Sequence, residues 1–440
     1  MALIRPRCTR FDCRRSPVKW LSTHLRSLST KNPEGKTKVL VITGPTAVGK
    51  TGVSLDLARF TDIEIISADA VQVYRGLDIG SDKVSDEVRA RVPHHAIDVA
   101  DLDFEWPVSV GTWVEIAHEA IESITAKGRI PVVAGGSWFY ARTLLRGQTD
   151  SPATTKEDAE LAFEQMRKRG SYGANHAHLM TIDPVYARSL GFEDWKKMER
   201  AFIVYNKTGR PVSSFSPRYQ REECPYDFRC FCVFRPGKNY IDHLYDRCEQ
   251  IVYAGLIEET YWAVLNGLDK DCIAAKAVGY RQALPYIRDN WLADDRPTDR
   301  KTQIKRFREF LGIYKQACRS LANEQRKSLC NLKEFEWIDI SRQSDDAIAQ
   351  YLLERYNTPV HTPSAGCSNQ WEQELRQEPV APAEDCTVFF SDSAVEAKLR
   401  DIESYLTRDP HTLPHPKTLP RPPWMLEHSL DETDPNRVAT

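Results

Sequence analysis

The segment from Lys38 to Phe60 most constrains the fold of this chain, because it joins an apolar strand to a glycine-rich loop and then to a helix. The loop has the pattern Gly-x-x-x-x-Gly-Lys-Thr. In such a loop the glycines let the backbone approach a polyphosphate, the lysine supplies a positive charge, and the threonine hydroxyl can bind a magnesium ion. The residues of the predicted phosphate site are Gly44, Thr46, Gly49, Lys50 and Thr51, and Thr51 is the predicted metal ligand.

Apolar runs and helical patterns alternate along this part of the chain. Val39–Thr43, Glu64–Ser67 and Ile130–Ala134 are typical of buried strands, and Trp113–Ala126 has the spacing of a helix. The alternation predicts an α/β fold whose core is a parallel sheet like that of P-loop NTPases, flanked by helices. Kinases, ATPases and some transferases share such a loop, so the loop alone leaves the bound phosphate compound open.

The strand pattern fades after Asp150. We interpret residues 151–222 as an inserted helical subdomain that separates two parts of the core, 37–150 and 223–342. In the second part, Cys230–Phe234 predicts one more strand, and the predicted helices are Tyr240–Leu265, Ala275–Arg288 and Lys301–Leu332. Eleven of the 26 prolines fall in the last 84 residues, so residues 357–440 are predicted to be largely disordered apart from a helix over Ser393–Leu406.

The N-terminal residues differ from the rest of the chain. Residues 1–36 carry many basic side chains, some Ser and Thr, and no continuous apolar run, which is typical of an organelle transit peptide. We therefore predict a disordered transit peptide and a mitochondrial or plastid protein, and the alternative is a disordered basic arm that is not a targeting segment. The basic residues of this segment's first 32 positions are Arg5, Arg7, Arg10, Arg14, Arg15, Lys19, Arg26 and Lys31, against the single acid Asp12.

Composition restricts the possible partners. The formal net charge of -2 gives no general attraction to nucleic acid, so any RNA binding must depend on local basic surfaces. No apolar run reaches the twenty or so residues that a membrane helix needs, so we expect no membrane partner. We also expect a monomer. The eleven cysteines show no repeated pairing pattern and are typical of reduced thiols in an intracellular enzyme.

Polar residues follow two of the predicted strands. Asp69 comes just after Glu64–Ser67, and Ser137 follows Ile130–Ala134 within a second glycine-rich segment. Parallel α/β sheets hold their ligands at the carboxyl ends of their strands, so both side chains are expected near the phosphate loop. Asp69 could act as a general base, lie near magnesium, or cap the next helix.

Six motifs give the chain a specific resemblance. They are GPTAVGKT, ISADAVQVYRGLDIGSDKVS, VPHHAIDV, GRIPVVAGGSWFYARTLL, EDWKKMERAFIVYNKTGRPVSSF and AVGYRQALPYI. With these motifs in this order, the chain resembles the tRNA dimethylallyltransferases, the tRNA isopentenyltransferase family, between about residues 38 and 340. It resembles the plant organelle-like branch in particular, notably at Asp194-Trp195 and Thr208-Gly209.

The resemblance implies a reaction and its substrates. Members of that family transfer the dimethylallyl group of dimethylallyl diphosphate to N6 of the adenosine immediately 3′ of the anticodon in tRNA. The resemblance makes Asp69 the base, with Lys50 and Ser137 also catalytic, Ser67 and Gln72 near the adenine, and Mg²⁺ as cofactor. It also places Arg247 and Arg319 against the substrate, and the implied tRNA contacts are Lys196, Lys197, Arg200 and Gln325.

The last predicted core helix adds a basic pattern. Its basic residues recur at intervals of three, four or seven beside an apolar stripe, so they are expected on one face that lines an RNA or diphosphate channel, the alternative being a solvated face. The basic residues are Lys301, Lys305, Arg308, Lys315, Arg319 and Arg326.

The chain departs from the family pattern at three points. Ala322–Gln325 stands where relatives tend to have Ala-Lys-Arg-Gln, an expected Arg is replaced around Gly237 and Lys238, and Ala70 replaces a serine. Alternatives to a tRNA enzyme are an adenylate isopentenyltransferase that makes cytokinin nucleotides, a non-catalytic RNA-binding relative, and a small-molecule kinase. The predicted helical insertion argues against the free-nucleotide enzyme, and Lys50, Thr51 and Asp69 argue against a non-catalytic protein.

Overall fold

A six-stranded parallel sheet forms the centre of the protein. In the computed structural model its strands are β1 (Thr37–Thr43), β2 (Ile63–Ser67), β3 (His94–His95), β4 (Ile130–Gly135), β5 (Tyr226–Phe234) and β6 (Glu336–Asp339). They lie in the order β3-β2-β4-β1-β5-β6. The structure describes residues 29–102, 109–147, 151–152, 154–191, 193–215, 224–269, 272–358 and 391–418.

Strand β1 is central because its residues are apolar on both faces. Val39, Leu40, Val41 and Ile42 are at most 1% exposed, as expected for a strand covered by helices on both sides. Leu40 pairs with Val132 of β4 on one side, and β1 pairs along its whole length with β5 on the other. The α/β prediction is confirmed, and since all six strands run parallel, their carboxyl ends lie at one edge of the sheet.

Two strands were not predicted. His94 and His95 form β3 and pair with Ile65 and Ile66 of β2. Strand β6 pairs with β5 although it carries Glu336 and Asp339. Neither segment contains the apolar run by which the longer strands are recognised.

Helices cover the sheet and follow one another through the second half of the chain. They are α1 (Lys50–Leu57), α2 (Asp86–Arg91), α3 (Val110–Ala126), α4 (Trp138–Arg146), α5 (Lys156–Arg169), α6 (Tyr172–Ile182), α7 (Pro184–Ser189), α8 (Trp195–Thr208), α9 (Lys238–Ala254), α10 (Leu256–Leu265), α11 (Tyr280–Ile287), α12 (Arg300–Cys330), α13 (Asp345–Asn357) and α14 (Asp392–Leu406). The chain turns at Gly255, where φ is +122°, so the predicted helical region Tyr240–Leu265 forms two helices.

The helices α5 to α8 have a hydrophobic cluster of their own. Ala162 and Met166 of α5 pack with Leu179 of α6 and with Met198 and Phe202 of α8, and this cluster is separate from the one around the sheet. The helical character expected between residues 155 and 214 is therefore present. The boundaries drawn at 151 and 222 stay predictions.

The C-terminal region is more ordered than its composition suggested. The predicted helix is present as α14, and residues 391–418 pack on the core, with Val395, Leu399 and Ile402 fully buried. The expectation of disorder is therefore wrong for residues 407–418, which follow the predicted helix. Residues 359–390 and 419–440 lie outside the described residues.

The N-terminal prediction can be compared with the structure only in part. Residues 1–28, which hold most of the predicted transit peptide, lie outside the described residues. Residues 29–36 form a turn in which the carbonyl of Thr30 accepts a hydrogen bond from Lys38 N at 2.8 Å. The prediction of disorder is therefore wrong for these residues. Among the helices that the structure describes, none combines the length and apolar character needed to cross a membrane.

Candidate active site

The phosphate loop connects β1 to α1 and leaves the start of that helix uncapped by a side chain. Gly49 is the N-cap residue, with φ +105°, and supplies no side-chain acceptor. The first N–H groups of α1 can therefore receive an anion. Lys50 folds back over the loop, where its Nζ donates to the carbonyl of Pro45 at 2.8 Å.

Two side chains from distant helices brace this loop. Gln325 of α12 accepts a hydrogen bond from Thr46 N at 2.8 Å and donates through Nε2 to the carbonyl of Gly136 at 3.0 Å. The hydroxyl of buried Tyr240, on α9, donates to the carbonyl of Thr46 at 2.8 Å. The sequence assigned Gln325 to tRNA; the structure instead places its amide between the phosphate loop and the end of β4.

The Lys50 ammonium lies at the centre of the converging strand ends. Burial lowers the pKa of Lys50 to about 8, and the negative charges of Asp69 and Asp82 partly oppose that effect. Its Nζ is 3.6 Å from the position that a Cβ would take on Gly136, so β4 approaches the loop closely. The carboxyl ends of β1, β2 and β4 thus bring Lys50, Asp69 and the Gly136-Ser137 turn together.

Asp69 uses one of its oxygens to order its own turn. Oδ1 accepts hydrogen bonds from Val71 N at 2.8 Å and Gln72 N at 3.3 Å, so Asp69 orders a turn; it does not cap the next helix, which begins at Asp86 and is capped by Ser85. In the part of the chain that the structure describes, Oδ2 takes no hydrogen bond from a neighbouring side chain or backbone group. A carboxylate fixed through one oxygen can accept a proton on the other.

Ser137 and Gln72 flank Asp69. The Ser137 hydroxyl oxygen accepts a hydrogen bond from Ala70 N at 3.1 Å, which ties the β4 end to the turn after β2. The hydroxyl of Ser67 donates to Gln72 Oε1 at 2.7 Å, and Gln72 Nε2 donates to the carbonyl of Ser81 at 3.0 Å. The residues predicted near the adenine therefore form one hydrogen-bonded group beside Asp69.

Arg235 is a cation at the phosphate loop that the sequence reasoning missed. It directly follows β5, its Nε donates to the carbonyl of Val48 at 3.1 Å, and its Nη2 is 3.6 Å from the position of a Cβ on Gly49. Burial lowers its pKa, which the nearby acidic residues Asp345 and Asp339 partly oppose. Its position immediately after a strand of the same sheet was the signal that could have identified it.

Two other predicted arginines lie on helices of the second half of the chain. Arg247 of α9 forms an ion pair with Asp82 and donates to Gln250 Oε1 at 2.8 Å. Arg319 is half-buried on α12. Arg247 thus lies beside the segment after β2. Its partner Asp82 is close enough to Lys50 for its negative charge to raise the pKa of that lysine.

The predicted tRNA contacts on α8 differ in accessibility. Lys196 and Lys197 are exposed, with Lys197 Nζ 2.5 Å from Asp194 Oδ2. Arg200 is half-buried, and its guanidinium donates to Thr154 Oγ1 and to the carbonyl of Pro152 at 2.7 Å. Arg200 therefore fastens α8 to the segment that enters the insertion, while the two lysines remain open to a partner.

The prediction that the basic residues of α12 lie on one face lining a channel is wrong for Lys315 and Arg326. Lys315 is fully buried and paired with Glu249 of α9, and Arg326 is only 7% exposed. Arg308 is paired with Asp392 of the C-terminal helix. Helix α12 is covered on more than one side, by α9, α11 and α14, so its periodicity did not identify a single solvent face.

The site fits a magnesium ion that arrives with a phosphate compound. Within the described ranges, no group of three or more His, Cys, Asp or Glu side chains is placed to hold a metal. Mg²⁺ commonly takes one or two protein oxygens and completes its shell with substrate phosphate and water. The exposed Thr51 hydroxyl on the first turn of α1 and the nearby Asp69 carboxylate are oxygen donors of that kind.

Comparisons with known proteins agree with this geometry. A family model described as IPP transferase matches residues 72–330, and one described as Isopentenyl transferase matches residues 37–91. A tRNA dimethylallyltransferase of Protochlamydia amoebophila (strain UWE25) is 32% identical over 323 residues, which cover 73% of this chain and 90% of that protein. The tRNA dimethylallyltransferase 9 of Arabidopsis thaliana is 30% identical over 362 residues, covering 74% of this chain and 76% of that protein.

A solved structure shares the fold. A eukaryotic dimethylallyltransferase acting on tRNA superposes with a TM-score of 0.53 at 21% identity, over 69% of this chain and 73% of that one. The family model covers more than half of the chain, and the Protochlamydia protein is matched over nearly its whole length. With a phosphate loop after β1 and a carboxylate after β2, on either side of β4, the chain belongs to the tRNA dimethylallyltransferase (IPP transferase) family.

Proposed function

We propose that the protein transfers the dimethylallyl group of dimethylallyl diphosphate to N6 of the adenosine immediately 3′ of the anticodon in tRNA, releasing diphosphate. The observation that carries this proposal is the convergence of Lys50, Asp69 and Ser137 at the carboxyl ends of three adjacent strands. A phosphate-binding cation and a carboxylate with an open oxygen are the two groups that this reaction requires.

The two groups have separate tasks in the transfer. The bond between C1 of the dimethylallyl chain and the diphosphate oxygen breaks, the N6–C1 bond forms, and a proton leaves N6. Lys50, Arg235 and the first N–H groups of α1 face the leaving diphosphate and stabilise the charge that develops there. Asp69 Oδ2 takes the proton, while Oδ1 keeps the carboxylate in place.

Magnesium is the proposed cofactor, held by Thr51 and the substrate's phosphate oxygens. When bound, it supplies positive charge to the leaving diphosphate. Ser137 orients the turn around Asp69 through Ala70 N, and its hydroxyl lies where it can also contact the substrate.

The helical insertion is the proposed grip on tRNA. The exposed Lys196 and Lys197 give it positive charge on an accessible helix, which suits contact with a phosphate backbone. The adenosine must leave the stacked anticodon loop to reach Asp69, and unstacking of that kind is common to enzymes that modify a base. Gln72, held by Ser67 and the Ser81 carbonyl, is the proposed contact for the base.

An adenylate isopentenyltransferase remains the second candidate function, since the Isopentenyl transferase model matches the phosphate loop region. The separately packed insertion favours the tRNA reaction, because a free nucleotide needs no second binding body. The plant organelle-like branch, residence in a mitochondrion or plastid, and a monomeric state are also proposed, on the motifs and the basic N-terminus alone.

The test is transfer of radiolabelled dimethylallyl to an unmodified anticodon stem-loop RNA, with AMP and ATP as competing acceptors. The wild type should label RNA, and Asp69→Asn should lose at least a hundredfold in rate, as is typical when a general base is removed. Asp295→Asn, at an exposed carboxylate between α11 and α12, is the control and should keep full activity. Label in AMP or ATP instead would establish the cytokinin reaction, and RNA binding without transfer would establish a non-catalytic relative.

A further inference from the structure

The C-terminal helix is attached to the core through a buried ion pair. Lys398 Nζ of α14 is 2.5 Å from Glu258 Oε1 of α10, and their side chains are 3% and 7% exposed. Lys398 also donates to the carbonyl of Tyr253 at 3.3 Å. Removing one member of such a buried pair leaves an uncompensated charge, so the pair fixes the position of α14 on α10.

The residues after α14 reach back to the sheet edge that holds the candidate active site. The hydroxyl of Tyr405 donates to the carbonyl of Pro414 at 2.6 Å and thereby sets the course of the chain into His415. His415 Nε2 lies 2.9 Å from the carbonyl oxygen of Gly76 and 3.4 Å from Glu259 Oε2. Its ring meets Trp262 edge-on, with 4.6 Å between ring centroids.

Lys417 makes a second contact with the same part of the core. Its Nζ lies 3.3 Å from Asp78 Oδ2 and 3.1 Å from Asp86 Oδ2. The neighbouring acids raise the pKa of Lys417, and Glu259 with Asp78 does the same for His415. His415 and Lys417 thus both contact the loop of residues 76–83, which we call the 76–83 loop.

The 76–83 loop in turn holds a residue of the proposed acceptor site. The carbonyl of Ser81 accepts the hydrogen bond from Gln72 Nε2, and Asp82 pairs with Arg247. Its start is fixed by Glu259, whose carboxylate accepts hydrogen bonds from three consecutive backbone N–H groups, those of Asp78, Ile79 and Gly80, at 2.7–2.8 Å. A displacement of this loop would therefore move the side chain of Gln72.

We propose that residues 391–418 act as a strap that holds the 76–83 loop, with His415 and Lys417 as positioning residues for acceptor binding. The functional part rests on the proposed function, since it takes Gln72 as a contact of the acceptor base. Residues 391–418 lie beyond the 72–330 segment matched by the IPP transferase model.

The test uses the full-length protein with His415→Leu and Lys417→Met combined. The control combines His411→Leu and Arg400→Met, which remove a histidine and a basic side chain from the same segment. His411 is exposed, and Arg400 pairs only with Glu396 within α14 among the contacts described. Hydrogen–deuterium exchange of the 76–83 loop should become at least fivefold faster in the strap variant and stay unchanged in the control. Exchange in β1 should stay unchanged in both.

Steady-state kinetics give the functional readout. In the strap variant KM for the anticodon stem-loop should rise at least fivefold, with KM for dimethylallyl diphosphate unchanged. His415→Gln keeps a donor for the Gly76 carbonyl, so it should reverse most of the rise in KM for the stem-loop that His415→Leu causes. Unchanged loop exchange would overturn the strap, and faster exchange with unchanged KM for RNA would overturn its role in acceptor binding. Exchange needs no substrate, so a wild type without transfer activity would refute the proposed function while the strap is still tested.

Discussion

Replacing Glu259 by glutamine should loosen the 76–83 loop although the side chain keeps its shape. Glu259 is fully buried on α10. Oε2 accepts from Asp78 N and Ile79 N, and Oε1 accepts from Gly80 N and from the hydroxyl of Tyr280 at 2.7 Å. All of these partners are donors, and a glutamine amide has one oxygen to offer them.

The size of this destabilisation follows from the more stable of the two orientations that the glutamine amide can adopt. With the amide nitrogen in place of Oε1, the Tyr280 hydroxyl can turn and accept, but Gly80 N–H loses its acceptor, at about 1–3 kcal/mol for a buried donor. The bonds to Asp78 and Ile79 lose their charge assistance, roughly 1 kcal/mol each. Relief of the burial of a charge offsets part of this sum, so the loop should become less stable by about 3 kcal/mol.

Hydrogen–deuterium exchange of Asp78, Ile79 and Gly80 amides measures that free energy directly. About 3 kcal/mol corresponds to roughly a hundredfold faster exchange when exchange proceeds by local opening. Tyr280→Phe is the matched control, because it removes one hydrogen bond and leaves all three backbone donors with an acceptor, so it should change their exchange less than tenfold. An increase below fivefold in Glu259→Gln would refute the view that this carboxylate holds the loop.

Three further predictions concern the phosphate side of the site. Since the pKa of Lys50 is lowered to about 8, kcat/KM for dimethylallyl diphosphate should fall as pH rises through about 8, where the ammonium loses its proton. In a pH–rate profile, Lys50→Arg should move this fall in kcat/KM to higher pH. Arg235→Gln should raise KM for dimethylallyl diphosphate about tenfold in initial-rate assays, whereas the exposed Arg342→Gln should not. Ser137→Ala leaves Ala70 N without its acceptor and should lower kcat about tenfold, whereas Ser137→Thr keeps the hydroxyl acceptor and should keep the wild-type kcat. Equal kcat values for the two variants would contradict this role of Ser137.

The parts of the fold that the sequence predicted are those with a strong local signal. β1, β2 and β4 are mostly apolar runs, so their burial could be predicted from their own residues. β6 lacks that signal because Glu336, although buried, is stabilised by Arg355 at 2.8 Å and by the Tyr351 hydroxyl, partners that only the folded chain supplies. A strand that depends on side chains from a later helix cannot be recognised from its own residues.

The same distinction applies to the candidate site. Lys50 was found through the phosphate-loop pattern, and Asp69 and Ser137 were found because each comes soon after a recognisable strand. Tyr240 and Gln325, which brace the phosphate loop, lie on helices far along the chain, and neither has a local pattern that indicates this contact. Their roles depend on how α9 and α12 pack, which helical periodicity does not specify.

Two consecutive glutamates on α10 give the second half of the molecule a common organisation. Glu258 binds Lys398 of α14, while Glu259 binds the 76–83 loop and lies beside His415, so adjacent carboxylates hold the C-terminal segment and the loop that this segment contacts. The phosphate loop depends instead on Gln325 and Tyr240. Because these two sets of contacts share no residue, substitutions in the C-terminal segment should affect acceptor binding and leave binding of the diphosphate unchanged.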